Sequence, residues 1–133
     1  MTGQTKEYFQ AYYQANKDRI NTRSAVWARE HPERRKVIDN RATIKGMYGI
    51  TMEEFDAILE SQGGGCAICG VATQRNGSRL AVDHDHSCCP GKKSCGKCVR
   101  AILCSPCNTG LGLFKEDVDL LKRAAALLAK WRE

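Results

Sequence analysis

Residues 80 to 108, LAVDHDHSCCPGKKSCGKCVRAILCSPCN, hold six of the chain's eight cysteines, two of its three histidines and two aspartates. Thiolates, imidazoles and carboxylates at this density ligate metals and move protons. Cys66-Ala-Ile-Cys69 and Cys104-Ser-Pro-Cys107 are two C-x2-C pairs separated by 34 intervening residues. Each pair forms a tight turn whose sulfurs can take adjacent corners of a tetrahedron at about 2.3 Å from zinc. Two pairs make a closed, structural site, because no position is left open for water. Cys88, Cys89, Cys95 and Cys98 form a second group. Cys95 and Cys98 are again a C-x2-C, and a second zinc here takes four sulfurs or has His86 replacing one of them. The alternative is a loop that is merely thiol-rich, or a disulfide formed on isolation.

A purely structural zinc domain does not account for Asp83-His84-Asp85-His86. Strand alternation over this run puts His84 on one face and Asp83 and Asp85 on the other, so that a metal and a base can approach one phosphate from different sides. An imidazole with a pKa near 6.5, to within about a unit, is suited to take a proton from water near neutral pH.

These groups need elements to hold them. The segments RLAVDH and KCVRAIL are short and apolar and read as two strands of a hairpin whose long loop holds the central cysteines. After Cys104 the chain turns helical, and KEDVDLLKRAAALLAKWR forms a final helix with Val118, Leu121, Ala125 and Leu128 as its apolar stripe. Upstream, residues 5 to 29 read as an amphipathic helix with Phe9, Tyr12, Tyr13, Ile20 and Trp27 on one side. That stripe suits packing on the core, a dimer interface or a DNA-facing arm. Pro32 ends it, and a second basic helix follows from about Glu33 to Tyr48. Thr51 then opens a third helix with Glu54 at the capping-box position, ending in Gly63-Gly64-Gly65.

Net charge is +6 and uneven. Residues 1 to 50 carry 10 basic and 5 acidic groups, and residues 61 to 115 carry 7 and 2. Clustered positive charge points to nucleic acid as partner, against the plainer reading of a solubilising surface. The opening residues lack the apolar segment of an export signal, and no uncharged run exceeds that of AILCSPCNTGLGLF, which at 14 residues is too short to span a membrane. A cytoplasmic chain is therefore expected, and in a reducing compartment eight cysteines argue for metal rather than disulfides.

CAIC, VDHDH, VRAILCSPCN and the lead-in YGITMEEFDAILESQGGGC resemble the bacteriophage recombination endonuclease VII family of the HNH nucleases over about residues 46 to 114. The resemblance implies an α+β fold: a ββα-metal (His-Me finger) HNH core with structural zinc. A basic helical arm, residues 1 to 50, precedes a nuclease domain, residues 51 to 133, that ends in a C-terminal helix. It implies that Asp83 and Asn108 hold a catalytic Mg2+ or Mn2+, that His84 is the general base with His86 beside it, and that Cys66, Cys69, Cys104 and Cys107 hold the structural zinc. It further implies DNA as partner, a homodimer through the N-terminal helices, and the cytoplasm of an infected host cell as location. Where some relatives place an acidic residue one helical turn after the Asn, this chain has Leu111. Its central insert brings Lys92, Lys93 and Lys97 to within reach of phosphates. The function expected is metal-dependent hydrolysis of DNA phosphodiester bonds, in branched, nicked or plain duplex. The competing reading is a non-catalytic zinc module that binds nucleic acid.

Overall fold

The computed structural model describes residues 5–132. The elements run α1 (Lys6–Glu30), α2 (Pro32–Tyr48), α3 (Met52–Ser61), β1 (Ala81–His84), β2 (Val99–Leu103), α4 (Ser105–Leu113) and α5 (Val118–Lys130). The fold is thus helical with one small antiparallel sheet, and the chain divides into two units, Met1–Asn40 and Arg41–Glu133. No helix among the described residues is long and apolar enough to cross a membrane.

In the first unit the Thr5 hydroxyl accepts from the Tyr8 N–H and caps α1. His31 ends that helix by donating its backbone N–H to the Trp27 carbonyl while its ring stacks on Trp27 at 4.9 Å. Pro32 opens α2, where a missing N–H leaves nothing unsatisfied. No residue of α1 is buried, and Tyr8, Phe9, Tyr12 and Tyr13 are exposed.

In the second unit the capping box forms as expected, with Thr51 Oγ1 accepting from Glu54 N–H at 3.1 Å and Glu54 Oε2 accepting from Thr51 N–H at 2.7 Å. The core is small: Ile44, Ile50, Phe55, Cys66, Leu80, Val82, Ile102, Leu103 and Cys104. Two of these nine are cysteines of the first metal group, so the core is built around it. β1 and β2 pair Ala81 with Leu103, Val82 with Ile102, Asp83 with Ala101 and His84 with Val99. A register shift between Asp83 and His84 leaves Arg100 as the extra residue of a bulge, which breaks the strict alternation expected of the strand.

The open edge of β2 is closed by a side chain. Gln62 donates from Nε2 to the Ile102 carbonyl at 2.9 Å and to the Gly65 carbonyl at 2.9 Å, and its Oε1 accepts from Ile102 N–H at 2.8 Å. Ala67 N–H adds a second bond to the Ile102 carbonyl at 3.2 Å, so Gln62 and Ala67 together do for Ile102 what a neighbouring strand would do. The final helix packs differently from the stripe expected of it. Leu120, Leu121 and Ala124 are its half-buried side chains, while Val118 and Leu128 are about 60 % exposed. Asp117 accepts from the backbone of Asp119 and Leu120 and sets where the helix starts, and hence which side turns inward.

Replacing Gln62 by Ala strands the N–H of the fully buried Ile102, while its carbonyl keeps the bond from Ala67 N–H. The expected loss is about 2 kcal/mol in urea unfolding of the metal-loaded protein, the cost of unpaired buried polar groups. A loss near zero would show that water serves Ile102 equally well.

Candidate active site and metal centres

Cys66, Cys69, Cys104 and Cys107 come together with their sulfurs within 4.8 Å of one another, and so do Cys88, Cys89, Cys95 and Cys98. A tetrahedron with zinc–sulfur bonds of about 2.3 Å has edges of about 3.8 Å. Cys69 Sγ lies 3.6 Å from Cys104 Sγ in the first group. In the second, Cys88–Cys95 and Cys88–Cys89 are 3.9 Å apart and Cys95–Cys98 is 3.8 Å. Both groups therefore fit structural zinc, and His86 is not needed as a substitute ligand.

The thiols themselves favour a cation. Burial pushes Cys66 up, yet backbone hydrogen bonds at Cys69, Cys104 and Ile68 outweigh it and bring it down to about 6. Burial and the neighbouring thiols push Cys107 up to about 12. In the second group a backbone hydrogen bond at Lys97 brings Cys95 to about 7, while hydrogen bonds to Cys98, Cys89 and Cys95 push Cys88 up to about 12. Each group thus has one lowered thiol, Cys66 or Cys95, beside two raised ones, Cys104 and Cys107 in the first and Cys88 and Cys89 in the second. A bound cation removes that conflict.

Each knuckle is tied into the fold. Cys66 N–H donates to the Val71 carbonyl and Gly70 N–H to the Cys66 carbonyl, which folds the first pair into its turn. Cys104 is the N-cap of α4, but no side chain of its own caps the helix. Gln74 Oε1 instead accepts from Ser105 N–H at 2.9 Å.

Asp83, His84, His86 and Asn108 line one cavity of about 240 Å³, together with Met47, Tyr48, Val82, Gly91 and Lys92. β1 contributes the acid and the first imidazole, and the first turn of α4 contributes the amide. A larger groove of about 880 Å³ runs past the first cysteine group, but neither a carboxylate nor an imidazole lines it. Asp83 and His84 are buried, with 5 % and 4 % exposure. His84 Nε2 lies 3.0 Å from the Cys89 carbonyl oxygen. A carbonyl only accepts, so Nε2 carries the proton and Nδ1 is the free, basic nitrogen. The His86 ring sits 4.6 Å from that of His84. Lys93 and Lys97 are exposed and stand outside the cavity lining.

Two residues the motif reading did not single out complete the site. Arg100, the bulge residue, grips Asp83 with a two-pronged fork, Nε to Oδ2 and Nη2 to Oδ1, both at 2.9 Å. Its third nitrogen, Nη1, donates to Glu116 Oε2 at 2.9 Å, and Glu116 Oε1 accepts from His86 Nδ1. Arg100 holds the Glu116 carboxyl below the usual range against the opposing effect of burial, with His86 helping. Asp83 and Glu116 in turn raise the Arg100 guanidinium. Glu116 follows α4, where Lys115 and Glu116 both adopt left-handed backbone angles, with φ of 55° and 54°. Such angles cost non-glycine residues on the order of 1 kcal/mol each, and here they turn Glu116 onto Arg100 and His86. Asp85 is outside the lining of that cavity and shares a second one with His86, Arg100 and Glu116. Hydrogen bonds from Ser87 lower its pKa, its Oδ1 accepting from Ser87 N–H at 2.8 Å in a local turn.

Residues 41–130 match the family model of recombination endonuclease VII. Two phage proteins are similar to the chain. The gene 59 protein of Mycobacterium phage D29 is 38 % identical over 109 residues, covering 81 % of this chain and 61 % of that protein. The gene 59 protein of Mycobacterium phage L5 is 36 % identical over 107 residues, covering 80 % and 60 %. The chain thus spans about three-fifths of the length of these relatives. No solved structure matches it.

Elemental analysis of the protein purified without chelator should find two zinc ions per chain, one for each four-cysteine group. One zinc per chain, with four thiols open to a thiol reagent, would leave the second group uncomplexed.

Proposed function

The chain belongs to the recombination endonuclease VII family, and from that premise we propose that it is a divalent-metal-dependent DNA endonuclease of the HNH type. In this reading β1, β2 and α4 form a ββα-metal core. The observation that carries it is the meeting of Asp83, His84 and Asn108 on one cavity, with His84 Nδ1 left free by the bond from Nε2 to Cys89.

His84 Nδ1 takes the proton from the attacking water, and the hydrogen bond at Nε2 steadies the imidazolium that results. Asp83 and Asn108 offer one carboxylate and one amide oxygen, hard donors that suit Mg2+ or Mn2+ and leave most of its coordination positions to waters and phosphate. When bound there, the ion supplies Lewis-acid stabilisation of the pentavalent phosphorus and of the departing 3'-oxygen. Arg100 keeps the Asp83 carboxylate oriented through a bond to each of its oxygens. Lys92, on the cavity wall, attracts the phosphate backbone. His86 donates a hydrogen bond from Nδ1 to Glu116 Oε1, which leaves Nε2 as its nitrogen for the substrate.

The alternative of a zinc module that only binds nucleic acid draws on one observation: Arg100 engages both oxygens of Asp83. Nicking of supercoiled plasmid decides between them. The wild type should nick in Mg2+ and not in EDTA, and His84→Ala should lose on the order of 100- to 10,000-fold in rate, the usual share of a general base. Equal inertness of both proteins, with DNA binding intact, would establish the binding module instead. The same preparation, given a four-way junction beside linear duplex of equal sequence, reads the substrate preference.

A further inference from the structure

The second cysteine group lies in a loop that contributes no residue to the core. Backbone bonds nonetheless tie that loop to the candidate site at several points. Cys88 and Cys89 both donate their N–H groups to the Asp85 carbonyl, at 3.2 and 3.0 Å, so the first two sulfurs sit on a turn that begins where β1 ends. Asp85 N–H donates to the Cys98 carbonyl at 2.9 Å, which brings the other end of the loop back beside the same residue. Ser94 N–H donates to the Met47 carbonyl at 2.8 Å. Gly49 and Gly96 pass so close that a Cβ on Gly96 would stand 2.8 Å from the Gly49 carbonyl oxygen. At the centre of this frame the Cys89 carbonyl accepts from His84 Nε2.

We propose that the second four-cysteine site, with its metal bound, is the positioning device of His84. Closing four sulfurs on one ion fixes the loop from Cys88 to Cys98. The fixed loop fixes the direction of the Cys89 carbonyl, and that carbonyl selects the His84 tautomer with Nδ1 free. Cys89 is thereby a positioning residue through its backbone while its sulfur anchors the knuckle. The inference rests on the reading of His84 as the base.

Burial supports this division of labour. The first group includes the buried Cys66 and Cys104 and belongs to the core, whereas Cys88 and Cys95 are exposed. The loop carries Pro90, Gly91, Lys92, Lys93 and Gly96, a composition that does not order itself. Sulfur–metal bonds are the strongest order available to it. Losing the second metal therefore frees the loop and leaves the core standing. His84 then has no fixed acceptor at Nε2, and its ring samples both tautomers and other rotamers.

The test is imidazole 15N NMR of the full-length, zinc-loaded protein beside Cys95→Ser. Wild-type His84 is expected as a single neutral tautomer protonated at Nε2. Cys95→Ser is expected to hold one zinc fewer with an unchanged circular dichroism spectrum, and its His84 nitrogens should move toward the tautomer average. Its kcat for nicking should fall about 100-fold, the scale of a slightly misplaced group, with KM for DNA unchanged. A variant that has lost one zinc and keeps the His84 signals of wild type overturns the proposal. Should Cys95→Ser not fold, the wild type is titrated with a chelator. The exposed site gives up its zinc before the buried one, and the His84 signals should change in step with that first equivalent. Signals that follow only the second equivalent overturn the proposal. Because NMR reads His84 whether or not DNA is cut, an inert wild type with a metal-dependent tautomer rejects the nuclease reading alone.

Discussion

Eight sulfurs gathered into two groups of four govern how the second unit holds together. Nine buried residues form the core of the second unit, and two of them are zinc-group cysteines. A core of that size does not by itself offset the entropy of ordering the chain around it. A structural zinc contributes on the order of 10 kcal/mol when bound, comparable with the net stability of a whole domain. The first group therefore joins α4 to the segment after α3, and through α4 it sets the place of Asn108. The second holds the loop whose backbone carries the acceptor for His84.

The same electrostatic requirement recurs one step further in. A carboxylate as buried as Asp83 needs a cation or a set of donors. Arg100 meets that need with a fork, and Glu116 holds the guanidinium from its far side. Asp83 and Glu116 thus hold one guanidinium between them.

Much of this was legible in the sequence wherever chemistry depends on local spacing. The C-x2-C pairs, the Thr51 and Glu54 capping box, the two apolar strands and the Asp83-His84-Asp85-His86 run are short-range patterns with few alternatives. Asp83, His84, His86 and Asn108 line one cavity. Arg100 was visible only as a residue of a strand, because a bulge arises from how two strands register and leaves no mark in either one alone. Glu116 meets His86 across thirty positions in the sequence, through two left-handed residues whose types do not announce such angles. Gln62 reaches Ile102 across forty, which no periodicity encodes. The inward side of α5 depended on the cap at Asp117 rather than on counting apolar residues.

On the proposed reading, zinc builds this site and a different cation works in it. Manganese titration of the zinc-loaded protein, read by electron paramagnetic resonance, tests it most directly. The wild type should bind one Mn2+ per chain without releasing zinc, and Asp83→Asn should lose that binding while keeping both zinc ions. Mn2+ binding equal in wild type and Asp83→Asn would contradict the claim.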